Sequence, residues 1–159
     1  MRQYIAGGTE FNTREKHVGA PLLKRVFTYE GSTEEKAAIE ISAAGFYRLF
    51  LNGRELTKGF FAPYISNPDH IIYYDEYDVT GLLKERNALC ILLGNGFNNA
   101  LDGGIWDFEK APYRSAPKVQ AFCRRQGNTD NGRKLRGVRF PDHLRRSPLR
   151  RTLRRAFDP

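Results

Sequence analysis

Ala44-Gly-Phe-Tyr-Arg-Leu-Phe-Leu-Asn-Gly-Arg-Glu-Leu56 opens the stretch that decides the fold, and Cys90-Ile-Leu-Leu-Gly-Asn-Gly-Phe97 closes it. Between them lies Ile71-Ile-Tyr-Tyr-Asp-Glu-Tyr-Asp-Val-Thr-Gly-Leu-Leu83. These are β-rich apolar runs separated by Asn52-Gly53, Asn67-Pro68-Asp69 and Thr80-Gly81. Short apolar runs ended by residues that tolerate positive φ or fix φ are what an antiparallel sandwich requires.

Working outward, Pro21 to Tyr29 alternates from Lys24 onward and predicts a first strand. Lys36 to Ser42 predicts a second, with Ala37, Ile39 and Ile41 on one face and Ala38 and Glu40 on the other. Gly45 interrupts that pattern, which marks a bulge or a close backbone approach. Phe46 to Leu51 resumes it, and Asn52-Gly53 is a strong hairpin signal with Arg54-Glu55-Leu56 as the return strand. The loop Gly59–Asp69 carries Phe60, Phe61 and Tyr64, apolar groups expected to pack across one end of the sheets. His70 to Tyr77 predicts a strand, and Asp78 to Glu85 one helical turn with Asp78 as N-cap. Asn87 to Leu93 is the most apolar run and is expected to be central, buried on both faces. A second long loop, Ala100 to Ser115, leads to a last strand at Pro117–Phe122. About seven strands with turn signals favour an all-β antiparallel sandwich of the jelly-roll or galactose-binding-domain kind.

The charge divides the chain. Residues 1–123 hold 14 Lys/Arg and 15 Asp/Glu, a net of −1, so the total of +8 leaves +9 for residues 124–159. The expected organisation is therefore an N-terminal arm (1–19), a neutral sandwich (20–123) and a basic, disordered tail (124–159). That tail lacks period-2 alternation, and Gly137, Pro141 and Pro148 break any helix. It matches no nucleic-acid-binding motif, so a phosphate-binding role is the weaker reading. The chain opens without a signal peptide and has no membrane-length apolar run, which gives a cytoplasmic expectation. Cys90 and Cys123 make no disulfide framework, and with three scattered His they make no Cys/His metal site. His17, His70 and His143 have no nucleophile motif beside them.

The motifs resemble the N-terminal β-sandwich domain of bacterial α-L-rhamnosidases, glycoside hydrolase family 78. The resemblance rests on Ala44-Gly45-Phe46-Tyr47, Leu51-Asn52-Gly53, Ala62-Pro63-Tyr64, Tyr74-Asp75-Glu76-Tyr77-Asp78-Val79-Thr80 and Leu93-Gly94-Asn95-Gly96-Phe97, in that order. Trp106-Asp107-Phe108 and Ala111 to Lys118 fit the family's next loop and final strand, so the likeness spans about residues 20–123. Tyr64 and Phe97 stand where the family has Trp.

The resemblance implies that hydrolysis belongs to carboxylates of a separate (α/α)₆ barrel, a partner of this domain in an intact enzyme. Retaining or inverting hydrolysis needs an acid and a base held across the bond, and no such pair is indicated in this chain. The abrupt onset of the basic tail leads to the expectation of a truncated or frameshifted reading. A rhamnose-containing carbohydrate is the implied ligand, and an accessory role, a free-standing carbohydrate-binding module and a nucleic-acid-associated protein are the functional readings.

Sugars stack C–H faces on aromatic rings and pair hydroxyls with Asn, Asp and Arg. The candidate carbohydrate-binding residues are thus Trp106, Asp107, Tyr113, Arg114, Phe97 and Asn98, with Tyr64 on the other long loop. The bland alternative is that these rings fold inward and plug the sandwich. No cofactor is expected. Asp75, Glu76 and Asp78 are the candidate oxygen ligands for a Ca²⁺, against the reading that alternate strand residues diverge and form a solvated face.

Overall fold

The computed structural model describes residues 4–32, 34–64, 70–97 and 116–125. These form two four-stranded sheets in which every pairing is antiparallel. The strands are β1 (Ile5–Ala6), β2 (Leu22–Thr28), β3 (Ala37–Ala44), β4 (Phe46–Leu51), β5 (Arg54–Glu55), β6 (Asp75–Asp78), β7 (Arg86–Gly94) and β8 (Lys118–Arg125). One sheet has the order β1-β8-β3-β6 and the other β2-β7-β4-β5. Among the described residues no helix is long and apolar enough to cross a membrane.

Alternation sorts side chains between the sheets. From β3 and β8 come Ala37, Ile39, Ile41, Ala43, Val119, Ala121 and Cys123; they meet Leu23, Tyr47, Leu49, Leu51, Leu89, Ile91 and Leu93 of the other sheet in one buried cluster. Each fully buried Leu or Ile there contributes about 1.5–3 kcal/mol of transfer free energy. The central place expected of the Asn87–Leu93 run holds, since β7 lies between β2 and β4. Strand β3 is central too, and its second face is also buried: Ala38, Glu40 and Ser42 are all under 6% exposed. Tyr4 reaches over that face and donates its hydroxyl to Ser42 Oγ at 2.9 Å, while Ser42 donates to the Tyr73 carbonyl at 2.8 Å.

Gly45 is where the two sheets become one molecule. It alone separates β3 from β4, which lie in different sheets. Its φ is +131°, and a Cβ there would stand 2.3 Å from the Gly94 carbonyl oxygen. Of the two meanings the sequence allowed, the close backbone approach is the one realised.

Four expectations need correction. The strand predicted over His70–Tyr77 begins only at Asp75, because β6 pairs with β3 over Ala38–Ile41 and the preceding segment peels off, held to Ser42 through Tyr73. Asp78 does not cap a helical turn. It is the last residue of β6, its Oδ1 accepts from Thr80 N at 2.8 Å, and a turn follows in which Leu82 N donates to Val79 O at 3.0 Å and Gly81 has positive φ. The 59–64 loop does not bury its rings: Ala62 is buried, but Phe60, Phe61 and Tyr64 are 90%, 71% and 77% exposed. The last strand runs three residues beyond Phe122, to Arg125.

Candidate functional site

Among the described residues, the chemistry-bearing side chains fall into three groups around β4 and β6. The first is a row of rings at the Gly45 end. Phe46 opens β4, and its ring meets Phe61 at 5.3 Å and Phe97 edge-on at 5.2 Å. Phe97, a sequence-predicted sugar platform, is therefore half-buried against Phe46 rather than a free face. Tyr64, the other predicted platform described here, is largely in water and meets Tyr73 edge-on at 6.5 Å. The backbone brings these loops together: Tyr47 N donates to Ala62 O at 2.8 Å, pinning the 59–64 loop beside β4. Trp106, Asp107, Tyr113, Arg114 and Asn98 lie outside the described residues.

The second group sits between the sheets. Tyr47 projects from β4 into the core, and its hydroxyl donates to Asp75 Oδ2 of β6 in the opposite sheet. With that proton committed, Tyr77 donates its own hydroxyl to Tyr47 at 2.9 Å. Burial, then the bond to Asp75, pushes the Tyr47 phenol far above its ordinary range, so it stays neutral. Burial likewise raises Tyr77. A polar cluster joining two sheets through side chains is worth its desolvation only when every member is paired, as these three are with one another.

The third group lies on the outer face of the sheet holding β3, β6 and β8. Glu40 and Glu76 are directly opposed across β3 and β6, an arrangement that repels. Arg124 of β8 answers both, with Nη1 2.9 Å from Glu40 Oε1 and Nη2 2.6 Å from Glu76 Oε2. Two facing carboxylates are the raw material of glycoside hydrolysis, but these share a single guanidinium. Their chemistry is that of a clasp between strands rather than of an acid and a base flanking a sugar.

That arrangement also bears on the Ca²⁺ expectation. Asp75 points inward to Tyr47, Glu76 outward to Arg124, and Asp78 to the Thr80 amide. The hydrogen bonds from Thr80 hold the Asp78 carboxyl below the usual carboxylate range. The residues thus diverge and do not assemble the proposed ligand set, and among the described residues no group of three or more His, Cys, Asp or Glu is spaced to hold a metal ion.

Sequence reasoning missed two of these features. The sequence marks Asn52 as a hairpin turn residue, yet its Nδ2 also donates to Asn87 Oδ1 at 2.9 Å and its Oδ1 accepts from Ala88 N at 2.9 Å. Asn87 is fully buried, and also accepts from Lys84 N at 2.8 Å and donates to Lys84 O at 2.5 Å. An Asn inside an otherwise apolar strand run was the available signal. The pairing of Arg124 with Glu40 had none, because the contact is long-range and Arg124 opens an Arg-rich segment in sequence.

Residues 32–135 match the family model described as the α-L-rhamnosidase N-terminal domain. An α-L-rhamnosidase of Formosa agariphila is 42% identical over 64 residues, 40% of this chain and 7% of that protein. Among solved structures, the α-L-rhamnosidase of Aspergillus terreus superposes with a TM-score of 0.62 at 22% identity, over 77% of this chain and 14% of its own. That of Streptomyces avermitilis, solved with L-rhamnose, gives 0.57 at 27% identity, over 65% of this chain and 10% of its own. This chain thus spans at most about a seventh of the length of those relatives. The matched region carries β3 to β8, the Gly45 corner and the ring row alike, and the chain belongs to the α-L-rhamnosidase N-terminal domain family.

Proposed function

We propose that this chain is a non-catalytic accessory β-sandwich domain of an α-L-rhamnosidase, which supports the catalytic barrel and contacts rhamnose-containing carbohydrate. The observation that carries the non-catalytic reading is the Glu40–Arg124–Glu76 clasp, in which the opposed carboxylates hold one cation between them. Hydrolysis requires a carboxylic acid and a carboxylate separated by the scissile bond, with room for a water or a covalent sugar. A shared guanidinium occupies that room. Carbohydrate contact is supported by the L-rhamnose complex of the Streptomyces avermitilis relative and by the sugar-pairing residue types Asn98, Trp106, Asp107, Tyr113 and Arg114 in the sequence.

The test is an assay of the purified chain on p-nitrophenyl α-L-rhamnopyranoside. The expected result is no release of nitrophenol above the blank, and measurable turnover overturns the reading. Sugar contact is tested separately by titrating L-rhamnose while following emission from Trp106, the single tryptophan of the sequence. A saturable change is expected, and a flat trace removes the carbohydrate half of the proposal.

A further inference from the structure

The 59–64 and 70–74 segments present apolar side chains to water at one end of the sandwich. Phe60, Phe61 and Tyr64 are 71–90% exposed, and Ile71 through Tyr74 are 45–60% exposed. The two runs are joined where Tyr64 meets Tyr73. The five aromatic residues, each with about 150–250 Å² to bury, leave on the order of 500–850 Å² of largely apolar surface in water at these exposures. The largest patch on an ordinary monomer is about 300–600 Å². One side of a standard protein–protein interface is about 800 Å².

Composition separates a protein partner from a sugar. Sugar sites combine a ring with amide, carboxylate or guanidinium groups that pair with hydroxyls. Neither Phe60–Tyr64 nor Ile71–Tyr74 contains a charged or amide side chain, and two of the exposed side chains are isoleucines. Interface cores are depleted of charge and enriched in Phe and Tyr in the same way. The area also exceeds what one sugar ring covers on one aromatic face several-fold.

From this we infer that the Phe60–Tyr64 and Ile71–Tyr74 face is the surface by which the domain mates with an apolar face on the remainder of an α-L-rhamnosidase. This rests on the accessory-domain reading, and the length argument supports that occupant. The solved relatives carry seven to ten times the chain matched here, since the match covers 14% and 10% of them.

The test uses the full chain, wild type and Phe60→Ser/Phe61→Ser/Ile72→Ser, titrated calorimetrically into the Formosa agariphila α-L-rhamnosidase from which its whole N-terminal sandwich domain is removed. That domain, once it shows its own cooperative melting transition, serves as the control for a competent probe. Wild type is expected to bind, and the variant at least ten-fold more weakly while keeping a cooperative melting transition within several degrees of wild type. Tyr64→Ser/Tyr74→Ser is expected to weaken binding in the same direction. Equal binding by wild type and variants overturns the assigned surface and leaves the accessory reading standing. No binding of any form to a competent probe overturns both. A dimer in sedimentation velocity that the variant abolishes assigns the face to a second copy and overturns the inference. Retention on immobilised L-rhamnose that the variant loses assigns it to sugar and does the same.

Discussion

Strand β4 has two ends, and the molecule finishes them in opposite ways. At Asn52 the chain turns tightly and its polar groups are answered from within: Asn52 and Asn87 bond each other and the backbone of Lys84 and Ala88. At Gly45 the link between the two sheets lies against the Gly94 backbone with no room for a side chain, and the rings around that seam spread into water. One end is closed by hydrogen bonds the domain supplies itself. The other is closed by contact geometry and leaves apolar surface over. The difference separates stability from function: residues at the first end hold the fold, and the exposed rings at the second are available to something else.

The largest effect is expected at the seam. Gly45→Val puts a branched Cβ where the Gly94 carbonyl oxygen stands at 2.3 Å, at a φ of +131° that β-branched residues avoid. The backbone oxygen cannot yield without disturbing the Phe46–Gly94 end of the β4–β7 pairing. The expected outcome is loss of a cooperative thermal transition by circular dichroism, a cost above about 4 kcal/mol. A variant melting within a few degrees of wild type breaks the claim that this end is held by contact.

Next comes the hydrogen-bonded end. Asn87→Ala removes an acceptor for Lys84 N and Asn52 Nδ2 from a site with no access to water. Leaving buried donors unpaired costs about 1–3 kcal/mol per group, so a loss of roughly 2–4 kcal/mol is expected in urea titration. Asn52→Ala should cost less, and the double variant less than the sum, since the two share a bond. Strict additivity would mean that the two residues act separately.

A smaller, pH-dependent effect lies just inside the seam. Tyr47 is kept neutral by burial and by its bond to Asp75. Its folded pKa is raised, so the unfolded chain releases this proton first as pH climbs. Stability is full below the unfolded value of about 10 and falls above it, by at most about 1.4 kcal/mol per pH unit for the group. The Cys90 and Cys123 thiols, both pushed up to about 11 by burial, add a fall of the same sign that begins near pH 9. Tyr47→Phe is expected to cost about 1–2 kcal/mol at pH 7, where Asp75 loses its donor, and to make the decline above pH 10 shallower. An unchanged alkaline slope would place the phenol outside the stability of the fold.

How much of this could be read from the residues follows from the range of each interaction. Alternation in Ala37–Ile41 and the apolar run at Asn87–Leu93 are local patterns, and they located two central strands. Gly45 announced a close approach because a missing Cβ inside a strand pattern has few other uses. Burial of the second face of β3 was not legible, because Glu40 reads as a solvent residue until Arg124, 84 positions later in the chain, lies beside it. The sequence also misled where aromatic content was taken to mean inward packing. Phe60, Phe61 and Tyr64 are as apolar as core residues, and only the course of the backbone after Gly59 decides that they face outward.

The smallest change in stability is expected at those outward rings, and it gives the comparison its sharpest form. Phe60→Ser removes a side chain that is 90% exposed and buries almost nothing in this chain. Surface substitutions of this kind stay within about 0.5 kcal/mol, and replacing apolar surface by a hydroxyl should raise solubility. Phe61 rests on Phe46 at 5.3 Å, so Phe61→Ser should cost somewhat more, up to about 1 kcal/mol of ring packing. The ordering Gly45→Val, Asn87→Ala, Tyr47→Phe, Phe61→Ser, Phe60→Ser can be measured by thermal and urea unfolding on one set of proteins. If Phe60→Ser proved as damaging as Asn87→Ala, the ring would have a partner within the chain. The open end of β4 would then be as self-sufficient as the closed one, and the apolar face would need no second surface to cover it.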